Sequence, residues 1–140
     1  KPCRVLGVAT TMAKQRTALV VEDNALVAMD AREVLALHGF DPIHVFNSAE
    51  FAQSAVRDEA LVFGLIVTHL HSGDTAHLAR QLADRKVPFG FVSDFNNGQD
   101  LPAQFRGQPF VTKPYSTNDL TRLLIQLGLI ENPCRLAAAR

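Results

Sequence analysis

The chain has 140 residues, the size of one domain with a single packed core. Its composition is 47% hydrophobic and 20% charged, with Lys+Arg and Asp+Glu equal at 14 each, so the basic excess of a nucleic-acid-binding domain is missing. No apolar stretch approaches the ~20 residues needed to span a bilayer, and neither nucleic acid nor membrane is expected as a partner.

The opening segment, KPCRVLGVATTMAKQR, has an apolar piece too short for a secretory signal. The pattern from Met12 resembles a natural start, so residues 1–11 read as an upstream piece and 1–16 as an N-terminal extension. Cys3 and Cys134 lie in the two terminal segments; without a signal peptide they read as free thiols of a cytoplasmic protein. Neither has CxxC or Cys/His spacing, so no structural zinc is indicated.

Strand and helix patterns then alternate. TALVVE (17–22) reads as a strand. From Asn24 to His38, Val27, Ala31, Val34 and Leu35 mark one helix face, with Gly39 at its end. PIHVF (42–46) is a second strand, and Asn47-Ser48-Ala49-Glu50 reads as a capping box opening a helix with Phe51, Ala55 and Val56 inward. FGLIVT (63–68) is the third strand, followed by a helix over Thr75 to Arg85 with Leu78 and Leu82 inward. PFGFVS (88–93) is the fourth. The glycines and proline in DFNNGQDLPAQFRGQ predict that any fourth helix is short or distorted. PFVTK (109–113) is the fifth strand, and Ser116 to Asp119 caps a helix bearing Leu120, Leu123, Leu124 and Leu127.

This alternation predicts an α/β fold: a doubly wound, five-stranded parallel sheet with helices on both faces and right-handed crossovers. Glu22 and Asp23 follow the first strand, His69 the third, and Ser93 and Lys113 end the fourth and fifth. One polar strand end is most simply a solvent contact. An acid pair, a histidine, a hydroxyl and a lysine followed by proline, all on one sheet edge, point to a pocket.

LVVEDN, LIVTHL, FVS and FVTKPY, in that order, resemble the motifs of the receiver domain of bacterial two-component response regulators, from about Thr17 to Leu127. The likeness is greatest to single-domain, CheY-like receivers whose fourth strand reads Phe-Ala-Thr-Gly-x-Tyr. Phe91-Val92-Ser93-Asp94-Phe95-Asn96 matches that in part, and LPAQFRGQPFVTKPYS matches the same subgroup well. The resemblance implies the (βα)5 flavodoxin-like strand order 2-1-3-4-5, with a receiver-like domain over 17–128 and a tail over 129–140. It further implies that Glu22 and Asp23 are the acid pair for Mg²⁺ and that the His71 carbonyl is a further ligand. Ser93 and Lys113 become the phosphoryl contacts, Phe110 the aromatic whose rotamer reports phosphorylation, and Lys113-Pro114 a cis bond.

One position departs from the family. Its phosphoacceptor is an aspartate at the end of the third strand, and here that residue is His69; a shifted alignment using Asp74 would put the nucleophile in the turn. The substitution removes both a carboxylate nucleophile and a hard oxygen ligand. Glu22, Asp23 and Lys113 sum to one negative charge, which a protonated His69 would neutralise in place of a metal. The reading is a receiver-like module that is not an enzyme and needs no cofactor, with Mg²⁺ weak or absent. It binds a histidine kinase, a downstream regulator or a second copy of itself through the fourth helix, fifth strand and fifth helix, and no output domain is expected after Leu127. Alternatives are a phosphoacceptor of unusual type, or a softer divalent-metal site at Asp23 and His69 with His71. A hydrolase using Ser93 and His69 lacks the G-x-S-x-G elbow. His38, His44 and His77 read as surface or edge residues.

Overall fold

Runs such as Leu19-Val20-Val21 and Leu65-Ile66-Val67 have no polar face to give to water, and as strands they need cover on both sides. The computed structural model of the chain describes residues 16–58, 60–70, 73–95 and 97–131. Cys3, Cys134, His71 and Met12 lie outside them. In chain order the elements are β1 (Thr17–Val21), α1 (Ala25–Leu37), β2 (Ile43–Phe46), α2 (Ala49–Val56) and β3 (Leu61–Val67). There follow the short strands β4 (His69–Leu70) and β5 (Gly73–Asp74), then α3 (Ala76–Asp84), β6 (Phe89–Ser93), a 3-10 turn (Ala103–Phe105), β7 (Phe110–Thr112) and α4 (Thr117–Gln126).

The main sheet has the order β2-β1-β3-β6-β7, with every pairing parallel. Setting the antiparallel β4–β5 hairpin aside, this is the 2-1-3-4-5 order. Helices α1 and α4 pack together on one face, α2 and α3 on the other. The core between them centres on Phe40, Phe63, Phe91, Leu65 and Ile66, all buried, each contributing about 1.5–3 kcal/mol of apolar transfer. The approach of α4 to the sheet is close at Gly90: a Cβ there would lie 2.7 Å from Leu123 Cδ2, so the buried Leu123 side chain would have to shift to admit one.

Local chemistry fixes the helix starts. Asn24 Oδ1 accepts from the amides of Leu26 (3.0 Å) and Val27 (3.2 Å) at the head of α1. Ser116 and Asp119 form a reciprocal capping box on α4. The second cap differs from its sequence reading. Ser48 is the N-cap and accepts from the Phe51 amide, which leaves Glu50 one position short of a box. Phe51 is also 65% exposed, while Ala52, Ala55 and Val56 face the core; three small residues let α2 sit closely on the sheet without it.

Two further differences bear on function. Among the described residues the segment between β6 and β7 forms a 3-10 turn and no α-helix, and Phe105 pins that turn against Phe89 (ring centroids 5.5 Å) and Phe91 (5.9 Å). The packed body also reaches past residue 128: Leu129 and Ile130 rest on the core, and Arg16 donates to the carbonyls of His38 (3.1 Å) and Leu129 (2.8 Å). No helix among the described residues is long and apolar enough to cross a membrane.

Candidate functional site

Parallel strands leave their carboxyl ends on one edge, so the residues just past β1, β3, β6 and β7 meet there. Glu22, past β1, is only 4% exposed. Its Oε2 accepts from the Lys113 ammonium at 3.2 Å and from the Asn24 amide at 3.0 Å. Its Oε1 is buried with no hydrogen-bond partner among the described residues. Asp23 is half-buried beside it and, with Glu22, borders a shallow groove toward Met29, Arg32 and Val45. Lys113, past β7, is held in register by its own amide, which donates to the Ser93 carbonyl (2.9 Å). The Lys113–Pro114 bond is cis.

The ends of β3 and β6 converge on a residue that sequence reasoning passed over. Asp100, in the strap between β6 and the 3-10 turn, accepts on Oδ1 from the Ser93 hydroxyl (2.5 Å) and on Oδ2 from the Thr68 hydroxyl (2.6 Å). The Asp94 amide also reaches Oδ2, at 3.2 Å. Ser93 is fully buried and Thr68 is 5% exposed, so both hydroxyls depend on such a partner to be satisfied. Ser93 Oγ additionally accepts from the Phe95 amide at 2.9 Å. A second oxygen, the Phe95 carbonyl, lies 2.8 Å from the same hydroxyl, but Ser93 has one proton to give.

Partial burial acts to raise the Asp100 pKa, yet the hydrogen bonds from Ser93, Thr68 and backbone amides outweigh it and hold the carboxyl below its ordinary 3.8. A depressed carboxyl contributes stability that is fully present above the unfolded value and is lost as pH falls through the folded one. Asp100→Asn is therefore expected to flatten the acid limb of a stability-against-pH curve below about pH 4. Parallel acid limbs for the variant and the parent would show that this carboxylate carries no such linkage.

His69 stands at the end of β3 but is exposed. It opens the hairpin and pairs with Asp74 across it, while the Thr75 hydroxyl ties the far side of the hairpin to the Val67 carbonyl at 2.6 Å. The alternative set of Asp23 and His69 with His71 involves a residue outside the described ones, and a different set of donors comes together around His69. Among the described residues, the metal-capable donors within 4.8 Å of one another are those of His69, Asp94 and Asp100. The charge count made from sequence is corrected by the same observation, since Asp94 and Asp100 add two carboxylates beside the position where His69 was to balance Glu22 and Asp23.

Phe110, half-buried at the start of β7, lies against the strap. Gly98 has φ +68, and a Cβ there would come within 2.9 Å of Phe110 Cε1, so backbone and ring are in direct contact. Of the other histidines, His38 caps α1 and meets the Thr121 hydroxyl at 3.1 Å; burial, then the Arg16 charge, lowers its pKa. His77 is exposed and pairs with Gln53, and His44 is half-buried on the edge strand β2. Neither reaches the site.

No family model matches the sequence, and no curated protein does. Solved structures match well. The solution structure of SdrG from Sphingomonas melonis Fr1 is 24% identical with TM-score 0.71, over 81% of this chain and 96% of that one. The REC domain of the PhyR response regulator from Erythrobacter litoralis is 20% identical with TM-score 0.71, over 85% and 94%. The receiver domain of NtrX from Brucella abortus is 21% identical with TM-score 0.69, over 82% and 99%. The structural neighbours are response-regulator receiver domains, and the chain has their fold.

Proposed function

We propose that this chain, having the receiver fold, is a receiver-like signalling module that acts by binding a partner protein without being switched by a phosphoryl group. One observation carries the reading. The two side chains that the receiver resemblance assigns to a phosphoryl group are already matched to carboxylates of the chain, Ser93 to Asp100 and Lys113 to Glu22. His69 in the acceptor position removes the carboxylate nucleophile as well. The acid pair also falls short of the hard oxygen set that Mg²⁺ requires: Lys113 engages Glu22 Oε2, and position 69 offers nitrogen. Mg²⁺ binding is expected to be weak or absent.

The partner is a histidine kinase or a downstream regulator, with self-association as a further possibility. Among the described residues a 3-10 turn stands where the sequence suggested a fourth helix, so the surface in question is the 3-10 turn, β7 and α4. A groove of about 490 Å³ lies between β7 and α4 on this face, bordered by Phe110, Lys113, Asp119, Arg122 and Leu123. Its mixed charged and apolar border suits a protein surface better than a small apolar ligand.

If phosphate does not control the domain, the ring resonances of Phe110 are expected to stay unchanged when beryllofluoride and Mg²⁺ are added. A saturable shift would mean that the relay operates. A second reading, a site for a softer divalent cation, draws support from the His69, Asp94 and Asp100 donors. Calorimetric titration with Zn²⁺ tests it: binding that is lost in His69→Ala supports this reading, and equal binding by both proteins refutes it.

A further inference from the structure

Resting on that receiver-like reading, the geometry points to a role for Asp100 as a built-in stand-in for a phosphoryl group. Its carboxylate fills the oxyanion cradle at the ends of β3 and β6 and holds the strap against Phe110, so the chain itself sets the state of its β7 face.

Three features support this. The cradle draws donors from two different strands. Thr68 and Ser93 present buried hydroxyls and Asp94 an amide, all aimed at one carboxylate. Such convergent donors are the usual means of holding an anion's oxygens. The carboxylate is delivered to them by packing. Leu101, the next residue, is 3% exposed in the core, and Phe105 locks the following turn edge-on against Phe89. Finally, strap and aromatic are mechanically coupled, because Gly98 leaves no more room than its missing Cβ between the backbone and the Phe110 ring.

While Asp100 holds the Ser93 proton, that hydroxyl has nothing to donate to an incoming oxyanion, and the fixed negative charge repels one. Restoring an acceptor at position 69 is therefore insufficient to restore a phosphoryl response. Were Asp100 only a staple for its loop, its removal would loosen the strap, and with it the Phe110 ring that Gly98 faces, but it would leave oxyanion affinity untouched, so the affinity is what separates the two roles.

The test compares His69→Asp with His69→Asp/Asp100→Ala, and with His69→Asp/Asp100→Asn in case the alanine variant fails to fold. Each is titrated with beryllofluoride in the presence of Mg²⁺ while the Phe110 ring is followed by NMR. A double variant is expected to bind about ten-fold or more tightly than His69→Asp alone, as the release of one charge-assisted hydroxyl implies, and to shift Phe110 on binding. Asp100→Asn in the parent background is expected to shift Phe110 with no ligand at all. The inference is overturned if His69→Asp binds as tightly as the double variants, if the double variants gain nothing, or if Asp100→Asn leaves Phe110 where it was. Uptake of phosphate by the unaltered parent is a separate result, and it would refute the phosphate-independent reading instead.

Discussion

Leu101→Ala is expected to lower the stability of the domain by about 2–4 kcal/mol, with the midpoint of urea unfolding displaced accordingly. Leu101 lies in an irregular connection, where truncation is ordinarily tolerated. Here, however, it is 3% exposed and belongs to the core. The loss combines its transfer free energy with the cavity left behind, and it falls on the residue that delivers Asp100 to the cradle. Leu37→Ala is the matching control: that side chain is 80% exposed on α1, so its change is expected to stay within about 0.5 kcal/mol. Equal effects at the two positions would mean that the strap is an ordinary loop.

Lys113→Met is expected to cost about 2–3 kcal/mol at neutral pH. The Glu22 side chain is 3% exposed, and one of its oxygens already lacks a partner among the described residues. Removing the ammonium leaves a buried carboxylate with the Asn24 amide and little else. The figure is at the low end for a broken buried pair because Lys113 itself is 29% exposed, so water screens part of the interaction. Adding Glu22→Gln to Lys113→Met removes the stranded charge and is expected to recover most of the loss. A double-mutant cycle reads this directly, and additive losses would mean that the pair is not coupled.

The three central strands were legible because burial on both faces leaves an almost unbroken apolar signal, as in Leu65-Ile66-Val67, and the two edge strands, only partly buried, because they repeat the same alternation with helices. The strand ends were legible for a related reason, since polar residues that terminate such runs must lie on one edge of a parallel sheet. That brought Glu22, Ser93 and Lys113 together from sequence, and the structure sets Glu22 against Lys113 and the Lys113 amide against Ser93. What could not be read was which partner each would take. Asp100 lies in DFNNGQD, where glycine and asparagine erase any periodicity and the receiver likeness is weakest. Its partners, Thr68 and Ser93, are close only after β3 and β6 have paired. The available signal was slight: two hydroxyl residues at adjacent strand ends, followed by an acid in the next loop. Phe51 misled for a different reason. A large apolar residue in the first turn of α2 looked like an anchor, but the alanines at 52 and 55 set the buried face.

The central claim is that this receiver fold works without a phosphoryl switch, and intact-protein mass tests it most directly. The unaltered chain is incubated with a small phosphodonor and Mg²⁺, with a phosphorylatable receiver domain treated alongside. The mass of this chain is expected to stay unchanged while the other gains a phosphoryl group. A matching gain by this chain, mapped to His69 and accompanied by a shift of the Phe110 ring, would contradict the account.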